Sequence, residues 1–539
     1  MNGLAAWLDA GDRLRASIQR HDIYVYLRAE EDVDDTADAR ADDALAALEE
    51  RLGDRIDAVV ASLGARRLWT MAAATPRLAR YRYLLSQSLA RAAHRLSPGE
   101  SRAIAQTVEP ALAATGASYK ALRRAALAWP SPAASASDAR RDAFAARWSP
   151  FERHEDAFAV QLLTIVNLRN GIARLQGFDG APAAAYFAQS LAPASVRCTL
   201  AAVRSSGAFR AYSGVRVTIA AKRLGIAPEA VRAWDRDAVT AFTPPDRPFD
   251  EARKEILDAE RPMGEAYASA FERLLDPANR RVELCVATAC DTTGFSVGFA
   301  GSESGVYFGG YRGSVNNVRA VAHESGHAVH KQFMNEHQPI AAYNEGPQFM
   351  FESFAIFNEL LFYEHEYESA AGNAERAYYL NRFLDDATFQ VFGSAEETDL
   401  EARIYADAEA GKLRTAGDLD VLTAGVFRQY DPLLAAEPAA RVYWARDSLY
   451  FTDPLYDVSY LYAGLLALKY FDDFERRQPG FAKNYVALLR NGFDESPAAL
   501  ERKFLGIDLD DEAGLVENAS ALIARRTRTL AELSAAGGI

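Results

Sequence analysis

Residues 315–334 read VNNVRAVAHESGHAVHKQFM, and this stretch decides what the rest of the chain has to support. Val315, Val318, Ala322, Val329 and Phe333 recur at the spacing of one helical face, so the segment predicts a helix. His323 and His327 stand four residues apart, nearly above one another on such a helix, and their imidazoles can share one ion. Glu324 is displaced by roughly 100° around the helix and reaches a water on the ion instead of the ion itself. Read this way, His323 and His327 are metal ligands and Glu324 is the general base.

A catalytic zinc ion is usually held by three protein ligands with a fourth position open. The next segment offers the third. Pro347 suits the first turn of a helix, and Gln348 to Tyr363 continues with Phe349, Met350, Phe351, Phe354, Ile356, Phe357, Leu360 and Leu361. A helix apolar nearly all round is buried, and a carboxylate inside it is costly unless a cation, a metal or hydrogen-bond donors meet it. Glu352 and Glu359 are seven residues apart and share a face. Glu352 is expected as the third ligand and Glu359 as an acceptor that orients a ligating imidazole. His330, one turn beyond His327, is expected in a supporting or packing role. The competing reading of the pair of helices is ordinary core histidines and structural ion pairs.

Around these helices the chain is rich in Ala, Leu, Arg and Glu at helical spacing, as in Asp43–Leu63 and Leu78–Ala93, and predicts a mainly α protein. Pro262 is expected to end or kink the helix predicted over Asp250–Leu275. Arg281–Tyr311 differs: Val282, Leu284 and Val286 alternate with other residues, as do Phe295, Val297 and Phe299, which predicts short strands. The glycines from 294 to 313 match no phosphate-binding spacing and read as turns and close backbone approaches. The acidic segment Glu30–Asp43 reads as a solvated loop or helix start. The proline-containing stretch Trp129–Ser149 is the best linker, so a boundary is placed there: 1–150 as an N-terminal helical region and 151–539 as the catalytic region.

The 539 residues exceed the usual ceiling for one compact core, which suggests two lobes or one deeply clefted domain. A formal net charge of −14 argues against general binding to nucleic acid. Three cysteines, Cys198, Cys285 and Cys290, are too few for a disulfide framework and fit a reducing cytoplasm. Asp9, Asp12 and Arg13 interrupt the apolar start of the chain, so no export signal is expected, and no apolar run is long enough to span a membrane.

The residues resemble the thimet oligopeptidase and oligoendopeptidase F family of zinc metallopeptidases. The HExGHxxH motif of that family stands at His323–His330, its E-x-P…E segment at Glu345–Gly346–Pro347 through Glu352, and a related run at Ser353–Glu359. Tyr456-Asp457-Val458-Ser459-Tyr460 is similar to the family's tyrosine motif, and Tyr485–Asp508 to the closing helices of the oligoendopeptidase F branch. The chain departs from the pattern at Asn317, Ala320 and Tyr450. The resemblance implies a zincin-like helical metallopeptidase with a small β-sheet beside the active site and a deep substrate channel between two helical lobes. It implies one zinc ion per chain, cleavage of internal bonds in short unstructured peptides, and Tyr456 and Tyr460 as donors to the developing oxyanion. Two other readings are a metallocarboxypeptidase and an inactive helical peptide-binding protein; the first would release single C-terminal residues, and the second has no need of Glu324.

Overall fold

The structure, a computed structural model, describes residues 2–31, 36–128, 139–236, 238–240, 242–285, 294–299 and 301–536. Helices dominate, with one small sheet between residues 282 and 309. The chain forms two compact units, each assembled from three stretches: 1–95, 243–369 and 469–511 in the first, and 96–242, 370–468 and 512–539 in the second. A cut after residue 150 falls inside the second unit's first stretch and within the helix Ala139–Glu152.

That helix corrects the linker expectation. Residues 129–138 lie outside the described residues, but 139–149 are helical. The reason is packing: Phe144, Trp148 and Phe151 recur at helical spacing and are buried, and Trp148 meets Tyr443 at 5.9 Å. In the acidic segment Glu30–Asp43, helices Asn2–Glu31 and Thr36–Leu63 flank residues 32–35, which are outside the described residues.

In the second unit the helix Glu512–Ala535 packs against Ala208–Leu224 and Asn373–Thr388. A buried Arg216 binds Asp385 there at 2.6 Å, an ion pair that joins two of the three stretches.

In the first unit the expected break at Pro262 is present: helix Phe249–Glu260 passes into a short 3-10 turn, Arg261–Met263, before Glu265–Leu275. Three strands follow, β1 (Val282–Cys285), β2 (Gly294–Val297) and β3 (Gly305–Gly309), in the order β1-β3-β2. β1 runs parallel to β3, with Val282 opposite Val306, and β2 runs antiparallel to it, with Gly294 opposite Phe308. Val286 and Cys290 are outside the described residues, Cys198 is a free, exposed thiol, and Cys285 is disulfide-bonded, which the sparse cysteine count did not announce.

Gly313 sets the entry to the next helix. Its φ is +82° and a Cβ would lie 2.4 Å from the carbonyl oxygen of Arg247, so only glycine allows this approach. Ser314 then caps the helix Val315–His337 by accepting from the Asn317 N–H at 3.3 Å. The connection to the helix Gln348–Ser369 is held from the N-terminal helix, where the Asp12 carboxylate accepts from the N–H groups of Ala341 and Ala342 at 3.1 and 2.9 Å. Tyr343 in the same connection donates to the carbonyl of Arg80 at 2.9 Å and joins a core of Leu8, Val60, Leu68, Tyr81 and Leu85.

Candidate metal centre

The helices Val315–His337 and Gln348–Ser369 approach closely because one residue has no side chain. A Cβ on Gly326 would lie 2.3 Å from Asn358 Nδ2 and 3.1 Å from the Cα of Ala355. Asn358 is itself held, its Nδ2 donating to the Phe354 carbonyl at 2.6 Å and its Oδ1 accepting from Tyr267 at 2.9 Å. Gly326 sits inside the HExxH run, so the spacing that aligns the histidines also brings the glutamate helix against them.

At this contact His323, His327 and Glu352 form a group whose donor atoms all lie within 4.8 Å of one another. Glu352 Oε2 stands 3.4 Å from His323 Nε2 and 3.7 Å from His327 Nε2. Tetrahedral bonds of about 2.1 Å would hold neighbouring ligand atoms roughly 3.4 Å apart. The donor set therefore fits an ion of zinc's size, and a mixture of two imidazoles and one carboxylate suits zinc chemically.

Glu359 lies one heptad beyond Glu352 and is 1% exposed. Its Oε1 accepts from the Nδ1–H of His323 at 2.5 Å, and this tautomer turns the Nε2 lone pair toward Glu352. Its Oε2 meets Nη1 of Arg319 at 2.8 Å. Burial alone would raise the Glu359 pKa, but Arg319 and His323 outweigh it and hold the carboxyl below the ordinary carboxylate range. Glu352 follows the same rule, with burial opposed and overcome by His323 and His327. Arg319 escaped the sequence reading, although it stands four residues before His323 and its place on that face was available from spacing.

Glu324 is not in the donor group and its side chain lies against the sheet: a Cβ on Gly294 of β2 would lie 3.3 Å from Glu324 Cγ. Lys331, two turns further along, donates to the carbonyl and hydroxyl of Ser296 at 2.8 and 3.1 Å and fastens β2 to the helix. Among the described residues β2 pairs only with β3, so its other edge carries no strand beside Glu324. His330 is buried among the rings of Phe351, Phe354 and Phe493, at centroid distances of 5.2, 4.6 and 5.9 Å. Burial lowers its pKa well below the usual histidine value, and it packs as a neutral ring outside the donor group. Tyr456 and Tyr460 belong to the second unit, where Tyr456 stands just before the helix Asp457–Glu475 and Tyr460 on it, with ring centroids 5.2 Å apart.

Residues 295–520 match the family model described as peptidase family M3. Oligopeptidase PepF of Bacillus subtilis is 25% identical over 281 residues, which are 51% of this chain and 40% of the relative. An oligoendopeptidase F homolog of Lactococcus lactis is 25% identical over 323 residues, 57% of this chain and 50% of the relative. The matches thus span about half the length of these curated relatives. The solved oligoendopeptidase-F of Enterococcus faecium shares the fold, with a TM-score of 0.67 at 19% identity over 97% of this chain and 92% of that one. Motif and family model point the same way: residues 295–520 are similar to peptidase family M3, and the chain resembles the oligoendopeptidase F proteins in sequence.

Proposed function

We propose that the protein is a zinc-dependent oligopeptidase that hydrolyses internal bonds of short, unstructured peptides. The observation that carries this reading is the convergence of His323, His327 and Glu352 within 4.8 Å, with Glu324 beside them and outside the donor set. His323, His327 and Glu352 would hold one zinc ion, and Glu359 with Arg319 would keep the His323 ring in its ligating tautomer. When bound, the ion supplies a Lewis acid that acidifies water and polarises the scissile carbonyl.

Glu324 accepts a proton from the attacking water on its carboxylate and delivers it to the leaving amine nitrogen. The edge of β2 that carries no strand among the described residues offers backbone N–H and C=O groups to an extended peptide, a mode of binding that is indifferent to most side chains. Broad specificity follows from that. Tyr456 and Tyr460 are proposed as oxyanion donors on their motif alone. The cytoplasm is the proposed compartment, and the disulfide at Cys285 stands against it; among the described residues no helix is long and apolar enough to cross a membrane.

The test is a mixed library of short peptides offered to the wild type and to Glu324→Gln, with metal content measured on both. We expect about one zinc per chain in each protein, internal cuts by the wild type, and a turnover about 10²- to 10⁴-fold lower in the variant. Release of single C-terminal residues instead would favour a carboxypeptidase, and equal activity in the two proteins would remove Glu324 from the mechanism.

A further inference from the structure

The second unit holds another convergence of acidic side chains, drawn from places far apart in the sequence. Glu397 lies on the helix Ser394–Glu409, Asp447 between the short helices Tyr443–Arg446 and Leu449–Thr452, and Asp457 is the first residue of the helix Asp457–Glu475. One carboxylate oxygen from each lies within 4.8 Å of the others. Asp457 is 1% exposed and Glu397 6% exposed, whereas Asp447 is only half-buried.

Two of the three carboxylates are oriented by neighbours that leave acceptor capacity. Tyr443 donates to Oε1 of Glu397, and Asp447 Oδ1 accepts from the Leu449 N–H at 3.0 Å. Tyr450 donates to the main-chain carbonyl of Glu397 at 2.8 Å and fixes the helix at that point. Asp457 is different: its buried Oδ2 meets no hydrogen-bond donor among the described residues, and the charges acting on its carboxyl are those of Glu397, Asp447 and Glu401. A buried carboxylate grouped with two others, with one oxygen that no donor meets, is expensive unless something positive joins them. The guanidinium groups nearby do not supply it in full, since Arg446 acts on Glu397 and Arg446 and Arg123 on Asp447, while neither is among the charges acting on Asp457.

We propose that Glu397, Asp447 and Asp457 form a binding site for a calcium-class divalent cation. The donors are oxygen only, which selects hard ions over zinc. Calcium–oxygen bonds of about 2.4 Å put even opposite ligands no more than about 4.8 Å apart, which is the limit within which these three atoms lie. The shorter bonds of magnesium demand a tighter, octahedral arrangement, so magnesium binds more weakly here. The ion ties the start of the helix Asp457–Glu475 to the helix Ser394–Glu409 and to the segment around Asp447. Without it burial leaves the carboxyls raised, Glu397 up to about 8 and Asp447 up to about 6.

The experiment is calorimetric titration of the full chain with calcium chloride and, separately, magnesium chloride, with thermal melts at each end point. We expect one calcium per chain, a weaker magnesium isotherm, and a melting temperature raised by calcium. Asp457→Asn should bind calcium at least about tenfold more weakly and lose the thermal shift. Glu397→Gln, checked for a native circular dichroism spectrum, is the second variant should Asp457→Asn misfold. His327→Ala, which removes a proposed zinc ligand, should leave the calcium isotherm unchanged. A folded wild type that takes up no calcium at millimolar concentration, or an Asp457→Asn protein that binds as the wild type does, overturns the proposal.

Discussion

Glu352 and Glu359 in the first unit and Glu397 and Asp457 in the second are buried to the same degree, yet their environments push their protons in opposite directions. Burial raises all four. In the first unit imidazoles and Arg319 more than reverse it, so the carboxyls stay ionised; in the second, acids face acids and the shift remains upward. Burial alone therefore says little about whether a carboxylate is a ligand in waiting or a proton store. The neighbour decides, and in the first unit the neighbours are three residues of a single helix face: Arg319, His323 and His327.

The strongest way to break the comparison is to remove a carboxylate from the balanced side. Glu359→Gln should weaken zinc binding about 10- to 100-fold by replacing the charged acceptor of His323 with a neutral amide, and Glu352→Gln should weaken it further. Competition with a chromogenic chelator measures both, and the reverse order would exchange the two roles. A smaller effect is expected where geometry alone is disturbed. Gly326→Ala puts a methyl against Asn358 and Ala355 and should destabilise the protein by about 1–3 kcal/mol while lowering zinc occupancy. Unchanged denaturant unfolding would show that the helix contact relaxes at no cost.

The mildest prediction concerns a buried acid that has neither a cation nor a carboxylate partner. Glu501 is fully buried and accepts from Tyr470 at 2.5 Å, and burial pushes its pKa up to about 8 in spite of that bond. The folded state thus holds this proton more tightly than the unfolded state does. Its contribution to stability is complete below the ordinary glutamate value and is lost as pH rises through about 8. Glu501→Gln, which cannot ionise, should flatten the fall in melting temperature over that interval by a few degrees. Identical pH profiles for the two proteins would mean that Glu501 is already ionised when folded.

Much of the candidate metal centre was legible because helical spacing is a local property. Four residues between His323 and His327, and seven between Glu352 and Glu359, place side chains on common faces whatever surrounds them. The apolar character of Gln348–Tyr363 announced burial, and burial made the glutamates informative. Arg319 was missed although it obeys the same spacing. The linker expected across 129–149 gives way to a helix over 139–149, where Phe144, Trp148 and Phe151 outweigh the prolines and small residues.

The sequence by itself determined a mainly helical protein, the pairing of two histidines with Glu324, and the face on which Glu352 and Glu359 look out. It determined these because a helix repeats every 3.6 residues without reference to anything distant. Only the tertiary structure decided the β1-β3-β2 order, the contact of Gly294 with Glu324, the passage of the chain back and forth between two units, and the meeting of Glu397, Asp447 and Asp457. Each of these joins residues whose separation in the chain carries no period, so nothing short of packing could bring them together.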